Sequence, residues 1–177
     1  MDQFFATLPY FPPESLVKGI FVNARGSRFI NEDAYHGRLA HYIMRQLDGR
    51  AWLLVDNEIF GRPMIHPDIT VAAVADSWAE LEQELGMPQG ALVHSVEEFN
   101  RHAAQGGDPH FHKANAWLRP LTTAPFAALS YCPGDLPAHA FTLGGLATLP
   151  TGQVLDADRQ PIAGLYAAGR TACGLPR

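Results

Sequence analysis

Residues 160–177 read "QPIAGLYAAGRTACGLPR". The run Ile162 to Ala168 reads as a buried strand, and it leads into Gly169-Arg170 and a turn of small residues. A strand followed by a glycine turn normally delivers the chain into a helix, often beside a nucleotide or phosphate. The sequence ends at Arg177 before any helix begins. This strand is therefore expected to present something that lies next to it.

Working backwards, "LGGLATLPTGQVLDADRQPIAGLYAAG" reads as three short strands separated by Pro-Thr-Gly and Asp-Ala-Asp-Arg-Gln turns. "YCPGDLPAHAFT" (131–142) reads as a loop. "DPHFHKANAWLRPLTTAPFAAL" (108–129) reads as a loop and then a strand. "SWAELEQELG" (77–86) has a Ser77 or Asp76 N-cap, early acids and a stop at Gly86. "HSVEEFNRHAAQGG" (94–107) reads as a second helix ending in a glycine pair. "RAWLLVDNEIF" (50–60) is a continuous apolar run, a buried strand ending at Asp56. "AYHGRLAHYIMRQ" (34–46) spaces Leu39, Tyr42, Ile43 and Leu47 as a helix does. In "VKGIFVNARGSRFINED" (17–33), Ile20 to Val22 reads as one strand of a hairpin. Ala24 to Ser27 is its turn, and Arg28 to Ile30 is the return. "FFATLPYFPPESL" (4–16) reads as an extended surface segment.

The fold class expected from this pattern is α+β, with helices near 37–47, 77–85 and 95–105 and a division near residue 120. The 57 residues after it form a β-rich segment too small to bury a core alone. "PFAALSY" and "IAGLYAA" are expected to form an exposed apolar surface, built for a sheet with absent partners, so that the chain self-associates or pairs with another polypeptide.

Composition narrows the function. The chain has 177 residues, 47% hydrophobic and 18% charged, as a globular protein does. A net charge of −5 points away from nucleic-acid backbones. No apolar run reaches a membrane span, and Met1-Asp2-Gln3 lacks the basic start of a signal peptide. Cys132 and Cys173 stand apart, which suits a cytoplasmic setting and neither a disulfide framework nor a zinc site.

Four stretches could carry chemistry. Arg28, Asn31, Glu32, Asp33, Tyr35 and His36 crowd ionisable groups after an apolar hairpin. They could bind a polar substrate or relay protons, or be a solvated strand end whose Asn31 or Asp33 caps a helix. Asp108, His110 and His112 could offer metal ligands. They lack a third ligand of characteristic spacing, so no metal is expected. Thr142, Gly144 and Gly145 suggest close backbone approach by a ligand, or a bulge. Ala167, Ala168 and Gly169 leave room for something flat, or simply pack closely. No G-x-G-x-x-G, P-loop or G-x-S-x-G occurs.

Taken together, "GIFVNARGSRFINED", "LLVDNEIF", "VEEFNRHAAQGGDPHF", "RPLTTAPFAAL" and "FTLGGLATLPTGQVLDADRQPIAGLYAAGR" resemble a flavoprotein family. Its members are fumarate reductases, succinate dehydrogenase flavoprotein subunits and 3-ketosteroid Δ1-dehydrogenases. "GGDPHF" and "PLTTAPFAAL" bring the chain nearest to the ketosteroid dehydrogenases. The resemblance implies an FAD-binding Rossmann-like domain with an inserted cap. Residues 1–120 would be a partial cap (substrate) domain, and residues 121–177 a truncated C-terminal segment of the FAD-binding domain. "GLYAAG" would then be the strand that reaches the flavin.

Two departures bear on the substrate. Where fumarate reductases carry paired histidines before the Thr-x-Gly-Gly stretch, this chain has Ala140 and Phe141, with His139 just upstream. That points away from a dicarboxylate. Where the ketosteroid dehydrogenases carry a tyrosine near "DNEIFGRP", this chain has Phe60 and Pro63, which points away from a strict Δ1-dehydrogenase.

The implied function is that of a fragment of an FAD-dependent oxidoreductase. It would dehydrogenate or reduce a C–C bond next to a carbonyl of a small ketone or enone, and would be inactive alone. A cap-like binding or oligomerising module without catalysis is the alternative. Asn31 and Glu32 are the expected catalytic pair, positioning substrate or relaying a proton. His36 is a weaker candidate. Thr142, Gly144, Gly145, Ala168, Gly169 and Arg170 are the expected FAD contacts, with Arg170 a cation near the cofactor. FAD is not expected to bind the isolated chain tightly.

Overall fold

In the computed structural model, the described residues are 4–7, 14–60, 70–132, 134–135, 139–142 and 144–173. Two compact units form: Thr7–His139, and Met1–Ala6 with Ala140–Arg177.

The larger unit is built on a four-stranded antiparallel sheet. Its strands are Ile20–Asn23 (β2), Ala51–Asp56 (β3), Val71–Ala75 (β4) and Phe126–Ser130 (β5), in the order β2-β3-β5-β4. β1, Phe4–Thr7, belongs to a separate pair described below. Every residue of β3 is buried, as the apolar run 51–55 requires of an inner strand. β5 is buried throughout as well, paired on both edges by β3 and β4. This corrects one expectation: "PFAALSY" is not an exposed apolar surface, because β4 covers the edge that the sequence left open. β5 belongs to the sheet of the larger compact unit, which runs to His139.

Three helices are present among the described residues: His36–Met44 (α1), Trp78–Glu84 (α2) and Ala91–Ala104 (α3). α1 buries Leu39, Ala40 and Ile43. It stops before Leu47, which is exposed in a separate 3-10 turn, Leu47–Gly49. α2 starts at Ser77, whose hydroxyl accepts from the Glu80 backbone N–H at 3.2 Å. Its Trp78 ring stacks on Phe126 of β5, with centroids 4.0 Å apart.

α3 buries Leu92, Val96, Phe99 and Ala103, one stripe at helical spacing. It begins four residues before the expected 95. The reason is a cap from another helix: the Glu82 carboxylate accepts from Gly90 N at 2.6 Å and from Leu92 N at 2.8 Å. Gly26, in the turn after β2, has φ +71°, and a Cβ there would meet Leu92 N at 2.7 Å. That glycine lets the turn seat on the start of α3.

The hairpin return is the next correction. Arg28 makes only an isolated bridge with Val22, and no strand forms over 28–30. β2 pairs instead with β3, from Ile20↔Leu54 to Asn23↔Ala51.

In the smaller unit, β1 pairs with His139–Thr142 (β6), inside the stretch expected to be loop. Gln153–Leu155 (β7) pairs antiparallel with Pro161–Tyr166 (β8). The first of the three expected C-terminal strands appears only as single bridges, Leu146↔Ala172 and Thr148↔Val154. All six residues of β8 are exposed. The reading of this strand as buried is therefore overturned, whereas an exposed "IAGLY" is what the structure has. Among the described residues no helix is long and apolar enough to cross a membrane.

Candidate functional site

The ionisable cluster after β2 is neither solvated nor a helix cap. Arg28 is turned inward, which is why no return strand forms. Its Nε donates to Glu32 Oε1 at 2.8 Å and its Nη2 to Glu32 Oε2 at 2.6 Å. The same Nη2 lies 2.8 Å from Asp108 Oδ2. Phe99 and Phe111 flank the guanidinium, with ring centroids 5.0 and 4.8 Å from Cζ.

Glu32 is 1% exposed. Its Oε1 also accepts from the Phe21 backbone N–H at 3.0 Å, and its Oε2 lies 3.2 Å from Lys113 Nζ. Lys113 is itself buried and donates to the Gly19 carbonyl at 2.5 Å. Two cations and two carboxylates thus close on one another under the sheet edge, with the remaining lone pairs taken by backbone.

Charge states follow this packing. Burial disfavours the Arg28 charge, but the hydrogen bonds and charges of Glu32 and Asp108 outweigh it and hold the guanidinium above its ordinary value. Asp108 is held below its ordinary value. Burial acts against its charge, and is overcome by Arg28 and by the backbone N–H groups of Lys113 and Phe111. Burial lowers Lys113, with Glu32 opposing that shift only in part.

Of the expected catalytic pair, Glu32 is fully engaged in this network and presents no free carboxylate edge. Asn31 is half-buried. Its Nδ2 donates to the His112 carbonyl at 3.3 Å, and its Oδ1 accepts from Asp33 N at 2.9 Å. Asp33 in turn accepts from Ala114 N at 2.7 Å. None of these side chains caps α1, whose N-cap position, Tyr35, makes no side-chain cap bond. Sequence reading missed Lys113, whose partners lie far away in the chain. It also missed Asp56, whose buried carboxylate accepts from Ile59, Thr122 and Thr123 backbone N–H groups and so ties the end of β3 to the segment entering β5.

Asp108, His110 and His112 do not converge. Asp108 faces Arg28. His112 sits in the left-handed region at φ +56° and gives its carbonyl to Asn31. His110 instead meets Glu98 and His102 of α3.

The expected FAD contacts all belong to the smaller unit. Gly145 is pressed backbone to backbone: a Cβ there would lie 2.7 Å from the Thr171 carbonyl oxygen. Leu146 N donates to Thr171 O at 2.8 Å, and Cys173 N donates back to Leu146 O at 3.0 Å. At Gly144 and Gly169 an added Cβ would meet nothing within 4 Å. Ala168 is exposed, Thr142 ends β6, and Arg170 lies in the 3-10 turn Gly169–Thr171. The empty space where a Cβ would stand at Gly144 and Gly169 fits the approach of a flat ring. Among the described residues no glycine loop opens a helix that could cradle a diphosphate.

Residues 17–175 match the family described as FAD binding domain. The chain belongs to this family. Its cofactor is FAD, as the resemblance implied. A probable fumarate reductase of Shewanella frigidimarina is 30% identical over 90% of the chain and 27% of the relative. A 4-oxocyclohexanecarboxylate 2-dehydrogenase of Sinomonas cyclohexanicum is 34% identical over 85% of the chain and 30% of the relative. The crystal structure of a 3-ketosteroid-delta4-(5alpha)-dehydrogenase from Rhodococcus jostii, in complex with 4-androstene-3,17-dione, superposes with a TM-score of 0.81. That comparison has 36% identity over 97% of the chain and 36% of that structure. The chain thus spans about a third or less of these relatives' lengths.

Proposed function

We propose that the chain is a segment of an FAD-dependent oxidoreductase acting on a C–C bond next to the carbonyl of an apolar cyclic ketone or enone. The observation that carries this reading is the TM-score of 0.81 at 36% identity to a ketosteroid dehydrogenase. The 34% identity to a 4-oxocyclohexanecarboxylate 2-dehydrogenase, whose name specifies a cyclic ketone that also carries a carboxylate, supports the cyclic ketone though not its apolar character. So do Ala140 and Phe141, where the resembling fumarate reductases carry paired histidines.

In this reading the larger unit serves as the cap, and Asn31 is the group that touches substrate. Its amide is held from both ends by His112 O and Asp33 N, so its orientation is set before substrate arrives. Glu32 is a positioning residue: it holds Arg28, Lys113 and the start of β2, and so fixes the loop that carries Asn31. In the smaller unit, Gly144, Ala168 and Gly169 give a flat ring access to backbone. Arg170 supplies a cation to the cofactor, Thr142 flanks it, and Gly145 keeps the bend closed on 171–173. The flavin, when bound, supplies the hydride acceptor. The exposed face of β8 is where the rest of an FAD-binding sheet, or a partner chain carrying it, would pair.

The test uses the polypeptide carrying this segment, purified with FAD. Ketone-dependent reduction of an artificial electron acceptor, lowered by Asn31→Ala without loss of folding, supports the reading. Turnover confined to dicarboxylates contradicts it.

A further inference from the structure

α3 and the loop after it bring together three side chains that the flavin reading does not use. Glu98 and His102 stand one helical turn apart on α3, on the same face. The chain then turns at Gly106-Gly107 and returns His110 to that face. The His110 Nε2 lies 3.3 Å from Glu98 Oε1, and the His102 and His110 rings meet edge to face at 5.6 Å. One ligand atom from each of the three residues lies within 4.8 Å of the others.

We propose that Glu98, His102 and His110 form a binding site for a divalent transition ion of the zinc, nickel and copper group. Two imidazoles and a carboxylate are the donor set such ions favour, whereas calcium and magnesium require oxygen. Zinc–ligand bonds of about 2.1 Å in a tetrahedron put ligand atoms about 3.4 Å apart, close to the 3.3 Å already present between His110 and Glu98. The only Lys or Arg recorded at Glu98 among the described residues, Arg101, is 3.8 Å away, too far to hold the carboxylate firmly. The Glu98 and His110 side chains are 36% and 53% exposed. An ion can therefore enter without unfolding, and the fourth position is left to water. Bound there, it would pin the loop bearing Asp108 and Lys113 to α3. This inference is independent of the flavin reading.

Metal-free protein is titrated with zinc against a chromophoric chelator. One equivalent of zinc is expected to bind. His102→Ala, His110→Ala and Glu98→Gln should each weaken it by about tenfold or more, while His94→Ala and His112→Ala leave it unchanged. A second measurement needs no variant: zinc should shift the ring resonances of His102 and His110 in the unaltered protein ahead of those of other histidines. Absence of binding, binding unchanged in both His102→Ala and His110→Ala, or zinc that leaves those two ring signals unmoved would overturn the site.

Discussion

Arg28 Nη2 lies 2.8 Å from Asp108 Oδ2, and this ion pair ties the turn after β2 to the loop that follows α3. Both side chains are almost fully buried, at 7% and 3% exposure. The pair therefore gives pH-dependent stability with a definite sign. Asp108 has a folded-state value below its ordinary 3.8, so the native state binds the proton less readily than the unfolded chain. The stabilisation is full above that ordinary value and is lost as pH falls through the folded one. The stability gap between wild type and Asp108→Asn should be constant near neutrality and should narrow under acid. Urea denaturation across a pH series reads this directly, and a gap that widens in acid would reject the assignment.

Glu32 and Asn31 are neighbours with opposite expected behaviour. Glu32→Ala strands Arg28 and the buried Lys113, and should cost about 3–5 kcal/mol of stability. Asn31→Ala removes a half-buried amide bonded to backbone and should cost about 1 kcal/mol. Equal losses in denaturant unfolding would mean that the buried network is not what holds the turn after β2.

The start of α3 depends on the carboxylate of Glu82 from α2. Glu82→Ala should cost about 1–2 kcal/mol, as loss of an N-terminal cap does. Hydrogen exchange should show the loss first at Leu92 and Val93. Exchange there as slow as in wild type would mean that another group caps the helix.

Gly145 and Gly144 separate fold from cofactor. An added Cβ at Gly145 would lie 2.7 Å from the backbone of residues 171 and 172, so Gly145→Ala should unsettle the smaller unit. Gly144→Ala meets nothing within 4 Å and should leave stability unchanged, while weakening flavin retention if a ring approaches there. Thermal unfolding and bound-flavin absorbance of the two variants distinguish these effects.

The helices and the inner strands were legible because they rest on local signals. The apolar run of 51–55 could only be a covered strand, and Ser77 with Gly86 bracketed α2. What escaped was set by long-range partners. β4, "VAAVA", carries no alternating pattern, yet it closes the edge of β5. The early start of α3 depends on Glu82, and Arg28 pairs with Asp108, far along the chain. At the candidate site the cluster 28–36 was visible, but its character was not. Lys113, buried against Glu32 and the Gly19 carbonyl, has no local signature in "FHKAN". His110 pairs with His102 and Glu98 because the glycine turn reverses the chain, and residue spacing alone does not reveal that.

The central claim is most directly tested by anaerobic single-turnover reduction of FAD bound to the polypeptide carrying this segment. Adding a saturated cyclic ketone should bleach the visible flavin absorbance, and Asn31→Ala should slow the bleaching without releasing the flavin. A flavin that stays oxidised with every ketone, and whose reduced form is reoxidised by fumarate alone, would contradict the account.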